Sequence, residues 1–376
     1  MRLTLVLPHA DLSGGIRVLA IYAGYLASRG HQVVAISTPR HKPPLLQAAK
    51  SWLRGRGWPR PRHGEPSHFD GVPIEHQVLD CFRPVRDRDV PDADVVLATW
   101  WQTAEWVAAL APAKGAKAYL VQHDERVMLP PQDLAGRQRV AATWSLPLTK
   151  ITVAGWLVEL LAPHAQGGRV HLVPNGVDPH QFHAPPRAKQ TRPTVGMMYA
   201  RSAYKGCDAM LQAVRLAAER VPGLKLVGFG TQQPERSGTF PPETDYRLCP
   251  PQDELRKIYA GCDAWLFGSR WEGFGLPILE AMACRTPVIG TPAGAAPELL
   301  AQGGGLLVEH DRPQAMARAI EHVAALTTGQ WRALSDAAWA TAARHTWPAA
   351  AAQFEAALMT VARPQRPETQ RAEIPA

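Results

Sequence analysis

Glu272 and Glu280 stand eight positions apart in a segment, 269–283, that begins as a glycine-containing loop and continues as a helical run. An ionised carboxylate accepts hydrogen bonds from neighbouring hydroxyls, which suits a sugar or a ribose. Gly273 and Gly275 let backbone N–H groups approach a ligand, and the start of the helix adds unpaired N–H groups and the positive end of its dipole. The segment therefore predicts a diphosphate site flanked by two sugar rings. Two solvated glutamates on an amphipathic helix are the alternative.

Two cations, Arg201 and Lys205, follow the predicted strand Thr194–Met198 and precede a predicted helix. At the end of a strand, a guanidinium and an ammonium can neutralise a diphosphate leaving group. Because exposed Arg and Lys are common, two solvated surface cations are the alternative. Gly15 lies between the first predicted strand and helix, where it permits a tight turn and close approach of a ligand. A plain turn is the simpler explanation of that glycine.

His123 comes directly after the predicted strand Ala116–Gln122, so it is expected at the carboxyl end of that strand and to point toward the cleft. A histidine there can donate a hydrogen bond to a sugar hydroxyl or support charge near an anomeric carbon. A histidine satisfied by its own surroundings is the alternative.

Short β-rich runs alternate with helical patterns along almost the whole chain, which is typical of parallel sheets with crossover helices. Strands are predicted at Leu3–Leu7, Gln32–Ser37, Asp94–Thr99, Ala116–Gln122, Lys150–Ala154, His171–Val173, Thr194–Met198, Leu224–Phe229, Tyr246–Leu248, Ala264–Phe267, Pro287–Gly290 and Gly305–Val308. The pattern predicts an α/β fold of two doubly wound, Rossmann-like domains that face one cleft, with ligands at the carboxyl ends of the strands.

Turn residues cluster at 174–179, and a polar, proline-rich stretch follows. We therefore predict a domain boundary that separates 1–178 from 179–346, followed by a helix at 347–361. The polar, proline-bearing tail 364–376 is predicted to be disordered.

The composition of the 376 residues is globular, and a net charge of +8 favours anionic partners. The five cysteines are scattered, no run of about 18 apolar residues occurs and the first residues do not match a secretory signal, so a cytoplasmic protein is expected. No metal is expected, because the Asp-x-Asp matches at 87–89 and 92–94 lie in a predicted turn. No zinc-hydrolase or esterase motif is present in the sequence.

The segment 269–283, continued by 284–289 and by Gly294-Ala295-Ala296-Pro297-Glu298, resembles the retaining glycosyltransferases of family 4, which have the GT-B fold. The resemblance covers most of the chain and is strongest over 173–298. It implies that contacts with the donor come from Gly15, His123, Arg201, Lys205, Glu272, Phe274, Gly275, Leu276 and Glu280.

In that family the first glutamate binds the donor sugar and the second binds the ribose, which implies those roles for Glu272 and Glu280. The backbone of 274–276 is implied to bind the phosphates, together with Arg201 and Lys205. These two cations stand four positions apart, where five is commoner in the family, which puts the shape of the loop in question. The resemblance also implies that 1–178 is the acceptor side, that 179–346 binds the donor, and that helix 347–361 crosses back onto the first domain.

The resemblance predicts a retaining glycosyltransferase that moves a hexose-type sugar from a nucleoside diphosphate donor to a glycan or lipid-linked acceptor. The expected setting is assembly of bacterial cell-surface polysaccharide, with the nucleotide-sugar as a substrate and no cofactor. Two other classes stay open: an epimerase or phosphorylase on a similar scaffold, and a binding module that has lost turnover. A pyridoxal absorption band would identify a phosphorylase.

A basic segment, 40–62, carries seven cations and no acidic residue, with apolar residues on one helical face. Such a segment suits the surface of an anionic membrane, which would make the protein peripheral on the inner face. A solvated loop is the alternative. Nucleic-acid binding is a poorer explanation, because no recognition fold accompanies the charge.

Overall fold

The computed structural model describes residues 1–39, 66–165, 168–234 and 239–363. The basic segment 40–62 and the tail 364–376 lie outside the described residues, so the predictions made for them stay predictions.

The described residues form two parallel sheets. The strands of the first sheet are β1 Arg2–Leu7, β2 Gln32–Ser37, β3 Glu75–Val78, β4 Val95–Ala98, β5 Ala116–Val121, β6 Thr149–Thr152 and β7 His171–Leu172. Those of the second are β8 Thr194–Met198, β9 Lys225–Gly230, β10 Asp245–Leu248, β11 Ala264–Phe267, β12 Val288–Gly290 and β13 Gly305–Leu307. The first sheet has the strand order β3-β2-β1-β4-β5-β6-β7, and the second has the order β10-β9-β8-β11-β12-β13. The predicted fold class, two doubly wound α/β sheets, is confirmed.

Helices connect the strands in both halves. They are α1 Gly14–Ser28, α2 Trp101–Ala109, α3 Leu134–Thr143, α4 Gly155–Leu161, α5 Cys207–Ala218, α6 Leu255–Ala260, α7 Leu276–Ala283, α8 Ala296–Leu300, α9 Pro313–Ala325, α10 Thr328–Arg344 and α11 Trp347–Ala362. The central strands β1, β4, β5 and β11 are buried along nearly their whole length, as expected for strands covered by helices on both faces.

The last described helix, α11, packs on the first helix. The ring of Phe354 stacks on Tyr22 with centroids 4.4 Å apart, and Trp347 meets the same tyrosine edge-on at 6.1 Å. Glu355 accepts a hydrogen bond from His31 at 2.7 Å. The chain before α11 also runs beside the chain that follows β7, since Val177 and Thr346 form a parallel bridge. These contacts place α11 against α1, and the predicted division of the chain into domains, with its boundary at 178/179, stays a prediction.

The structure also bears on membrane association. Among the described residues, none of the helices combines the length and the apolar character needed to cross a bilayer.

Candidate functional site

Each sheet reverses its strand order at one point, between β1 and β4 in the first and between β8 and β11 in the second. Loops that leave neighbouring strands in opposite directions open a crevice there, where ligands of such sheets bind. The loops of the two sheets meet. Trp156 Nε1 donates to the carbonyl of Gly273 at 2.9 Å, and the backbone N–H of Gly155 donates to Glu298 Oε1 at 2.9 Å. The described structure therefore has the two halves in direct contact at the predicted site.

Glu272 and Lys205 form an ion pair in this crevice. Glu272 Oε1 accepts from Lys205 Nζ at 2.5 Å and from Ser269 Oγ at 2.9 Å, and the two charged side chains are 13% and 20% exposed. Lys205 ends a short 3₁₀ turn that Gly206 terminates at a φ of +62°. A Cβ on Gly206 would overlap the carbonyl of Gly268, so glycine is needed for this close approach. That packing brings Lys205 to the loop that carries Glu272.

His123 lies close to this ion pair, and the charges of Glu272 and Lys205 both act on it. Burial lowers the pKa of the imidazole below its usual value, so the ring is neutral at pH 7. Nδ1 lies 3.0 Å from the carbonyl of Asp124, which can only accept, so the proton is on Nδ1 and Nε2 is an acceptor. In this tautomer His123 Nε2 can accept a hydrogen bond from a hydroxyl, and the predicted role of His123 at the donor sugar stays a prediction.

The helix α7 begins beside Glu272. Its N-cap, Gly275, has a φ of +99°, which favours glycine, and within the described chain no side chain caps this end. The carbonyl of Phe274 accepts a hydrogen bond from the backbone N–H of Ala295 at 2.8 Å, which holds this loop against the chain before α8. The N–H groups at the start of α7 are thus suited to an anionic ligand.

Glu280 lies in α7 and is buried, with 7% exposure. Its Oε2 accepts from the hydroxyl of Tyr259 at 2.8 Å, and its Oε1 accepts from Arg17 Nη1 at 3.1 Å. Because α1 belongs to the first sheet and α7 to the second, this ion pair crosses the crevice. Neither Arg17 nor Tyr259 could be selected from the sequence, because no local motif contains them.

Arg201 takes a different direction from Lys205. Its Nε and Nη2 donate to the carbonyl of Gln233, at 3.1 and 2.8 Å, in the loop after β9. The side chain is exposed. The structure thus brings Glu272, Lys205, His123 and the start of α7 together, and it holds Arg201 against the neighbouring loop.

Gly15 contacts a residue that the sequence analysis had not selected. Gln122 Nε2 donates to the carbonyl of Gly15 at 3.2 Å, and a Cβ on Gly15 would lie 3.3 Å from that nitrogen. On its other side, the carbonyl of Gln122 lies so close to Gly273 that a Cβ there would overlap it. Gln122 therefore joins the start of α1 to the loop after β11.

The Asp-x-Asp matches serve structural contacts. Asp89 pairs with Arg83 at 2.6 Å, and this hydrogen bond holds the pKa of the Asp89 carboxyl below its usual range, although burial acts in the opposite direction. Asp92 pairs with Lys114 at 2.9 Å. Among the described residues no cluster of three or more His, Cys, Asp or Glu side chains could hold a metal ion.

Comparison with known proteins decides the family. The model of the family described as glycosyl transferases group 1 matches residues 192–325, which include the second sheet. A D-inositol 3-phosphate glycosyltransferase of Actinosynnema mirum is 30% identical over an alignment of 391 positions, gaps included, which covers 90% of this chain and 90% of that protein. This chain belongs to the group 1 glycosyltransferases. An enzyme of the same description from Segniliparus rotundus is 29% identical over 61% of this chain, and the match spans 56% of that relative's length.

Solved structures support the architecture of this group 1 glycosyltransferase. HepE of Anabaena, solved with UDP and glucose, matches with a TM-score of 0.70 and 17% identity over 96% of this chain and 100% of that chain. A likeness at this identity shows the fold. The predicted GT-B arrangement of two facing Rossmann-like sheets is therefore confirmed.

Proposed function

We propose that this enzyme moves a hexose-type sugar, with retention of configuration, from a nucleoside diphosphate donor to a glycan or lipid-linked acceptor in assembly of bacterial cell-surface polysaccharide. The observation that carries the proposal is the Glu272–Lys205 ion pair, which lies beside His123 and the uncapped start of α7 at the junction of the two sheets. These are a sugar-binding carboxylate, a cation and an anion site within one crevice.

The diphosphate is proposed to lie at the start of α7, against the N–H groups of Phe274, Gly275 and Leu276. Lys205 would then exchange its ion pair with Glu272 for the phosphate, which frees a Glu272 oxygen to accept from a donor-sugar hydroxyl. Negative charge grows on the leaving diphosphate as the bond to the sugar loosens. Preorganised N–H groups and a cation stabilise that charge, which is the main catalytic effect we propose. Arg201 would join the phosphate after leaving the Gln233 carbonyl.

The rest of the donor is proposed to extend in both directions from the diphosphate. His123 Nε2 would accept from a sugar hydroxyl, Gly15 would allow close approach of the donor, and Glu280 would accept from the ribose. The acceptor oxygen would attack from the face that the diphosphate leaves, as retention in this family implies. HepE was solved with UDP-glucose, which supports a uridine donor as the first to be tested.

The domains would divide these tasks. We propose that 1–178 with α11 forms the acceptor side, that 179–346 binds the donor, and that closure between them excludes water from the reacting sugar. The contact of Trp156 with Gly273 and the packing of Phe354 on Tyr22 support this division.

A thermal-shift screen against nucleoside diphosphates and nucleotide-sugars tests the proposal, because a ligand stabilises the state that it binds. The proposal predicts stabilisation by at least one nucleoside diphosphate, and NMR of the product should show the donor's anomeric configuration.

Glu280→Gln should weaken binding of the nucleoside diphosphate, measured without the donor sugar, by about 1.5–3 kcal/mol, the usual effect of losing a hydrogen bond to a charged group. An inverted product, or unchanged affinity in folded Glu280→Gln, would contradict the corresponding part of the proposal.

A further inference from the structure

Arg17 reaches across the crevice from the first turn of α1. Its Nη1 donates to Glu280 Oε1 at 3.1 Å and its Nη2 donates to Gln181 Oε1 at 3.2 Å. The guanidinium carbon also lies 6.0 Å from the centroid of the Phe182 ring. The side chain is 22% exposed. A planar guanidinium that two acceptors and a ring hold in this way has a defined orientation.

Glu280 is held from both halves of the molecule. Arg17 comes from the first sheet's side and binds Oε1, whereas Tyr259 comes from α6 beside the second sheet and binds Oε2. Tyr259 itself is fully buried, so its hydroxyl is a fixed donor. A carboxylate as buried as that of Glu280 is costly unless an opposite charge is paired with it, and Arg17 supplies that charge.

We propose that Arg17 is a positioning residue that aims the Glu280 carboxylate at the donor ribose and makes donor affinity depend on contact between the two halves. This inference rests on the proposed function. Each Glu280 oxygen uses one lone pair for the protein and keeps another for a ribose hydroxyl. When the halves separate, Arg17 leaves Glu280, and the carboxylate loses both its orientation and its cation. By linkage, a nucleotide that binds the oriented carboxylate favours the closed arrangement to the same extent.

Calorimetry with UDP on the full chain tests this. Arg17→Met, which keeps much of the side chain's bulk and removes the charge, should bind UDP about tenfold more weakly, the order expected for a charged hydrogen bond. Arg17→Lys should recover part of the loss. In a Glu280→Gln background, Arg17→Met should cause no further loss, because the two residues act through one contact. With a nucleotide-sugar donor, KM should rise more than kcat falls.

Arg29→Met is the matched control. Arg29 has the same type of side chain, follows the last residue of the same helix, and pairs at 3.4 Å with Glu355 of α11, away from Glu280. The Arg29→Met variant should bind UDP with the affinity of the wild type. The melting temperature of each variant shows whether it folds. If Arg17→Met does not fold, the test uses Arg17→Lys instead, with UDP affinity measured in the wild-type background and in the Glu280→Gln background.

Three results would overturn the inference. Unchanged UDP affinity in folded Arg17→Met shows that Glu280 needs no help from Arg17. Additive losses in the double variant show that Arg17 acts elsewhere. If the wild type binds no nucleoside diphosphate, the proposed function and this inference are both wrong, whereas failure of the variants alone contradicts only the role of Arg17.

Discussion

Gly273 gives the sharpest test of whether contact between the two halves is needed for turnover. It lies in the loop before α7, and its carbonyl accepts from Trp156. A Cβ at this position would overlap the carbonyl oxygen of Gln122 and lie 2.9 Å from its carbon and 3.5 Å from the Cα of His123. These are backbone atoms, so the overlap in Gly273→Ala is relieved only if the two loops move apart.

The separation needed is about 1 Å or more, and a misplacement of about 1 Å costs up to about 100-fold in rate. Lys205, Glu280 and the start of α7 all belong to the second half, so Gly273→Ala should still bind a nucleoside diphosphate. Because moving the halves apart also draws Arg17 from Glu280, its affinity should fall by no more than the roughly tenfold expected of Arg17→Met. Gly273→Ala should nevertheless turn over about 100-fold more slowly, since His123 is moved from the donor.

Calorimetry and steady-state release of the nucleoside diphosphate measure the two effects separately. Gly329→Ala is the control, because a Cβ there meets nothing within 4 Å, and it should match the wild type in both. Full turnover in Gly273→Ala would refute the reasoning, since the contact with Gln122 would then be dispensable. A loss of nucleotide affinity well beyond that of Arg17→Met, in a folded variant, would show instead that Gly273 acts at the phosphates.

Three further predictions concern the phosphate-site cations, metal independence and a buried carboxyl. Lys205→Ala and Arg201→Ala should each lower kcat by about tenfold or more with little change in melting temperature, because both are proposed to meet charge that grows in the transition state; full turnover in either would remove that residue from the phosphate site. Activity should survive excess EDTA, and loss on chelation that Mn²⁺ or Mg²⁺ restores would reverse the expectation of metal independence. Burial raises the pKa of Glu125 to about 8, so the folded state holds a proton that the unfolded state releases, and stability should fall as pH rises from about 4.5 to 8. Glu125→Gln should flatten that fall in a series of urea titrations, and an unchanged slope would mean that Glu125 is ionised in the fold.

Most strands could be predicted because apolar β-rich runs of the right length are bounded by turn residues. Gln32–Ser37, Thr194–Met198 and Ala264–Phe267 were predicted with their observed bounds. The strand β3, Glu75–Val78, was missed because its residues are polar and it forms the edge of the first sheet, where no alternating apolar pattern is required.

A candidate site could be proposed from the sequence where one short segment holds the residues, as with Glu272, Gly275 and Glu280. It was not predictable where the partners are distant in sequence. Arg17 and Glu280 are 263 positions apart, and only the contact between the two halves of the fold brings them together. The contact of Gly273 with Gln122 was missed for the same reason, because a glycine in a loop does not show which backbone approaches it.

The most direct test of the central claim compares the wild type with Glu272→Gln in release of the nucleoside diphosphate from a nucleotide-sugar donor. The affinity of each protein for the nucleoside diphosphate alone is measured alongside. The account predicts that the wild type releases the diphosphate, and that Glu272→Gln binds it with similar affinity but releases it from the sugar far more slowly. Equal rates of release by the two proteins would contradict the account, because sugar transfer would then not depend on the carboxylate at the junction of the two sheets.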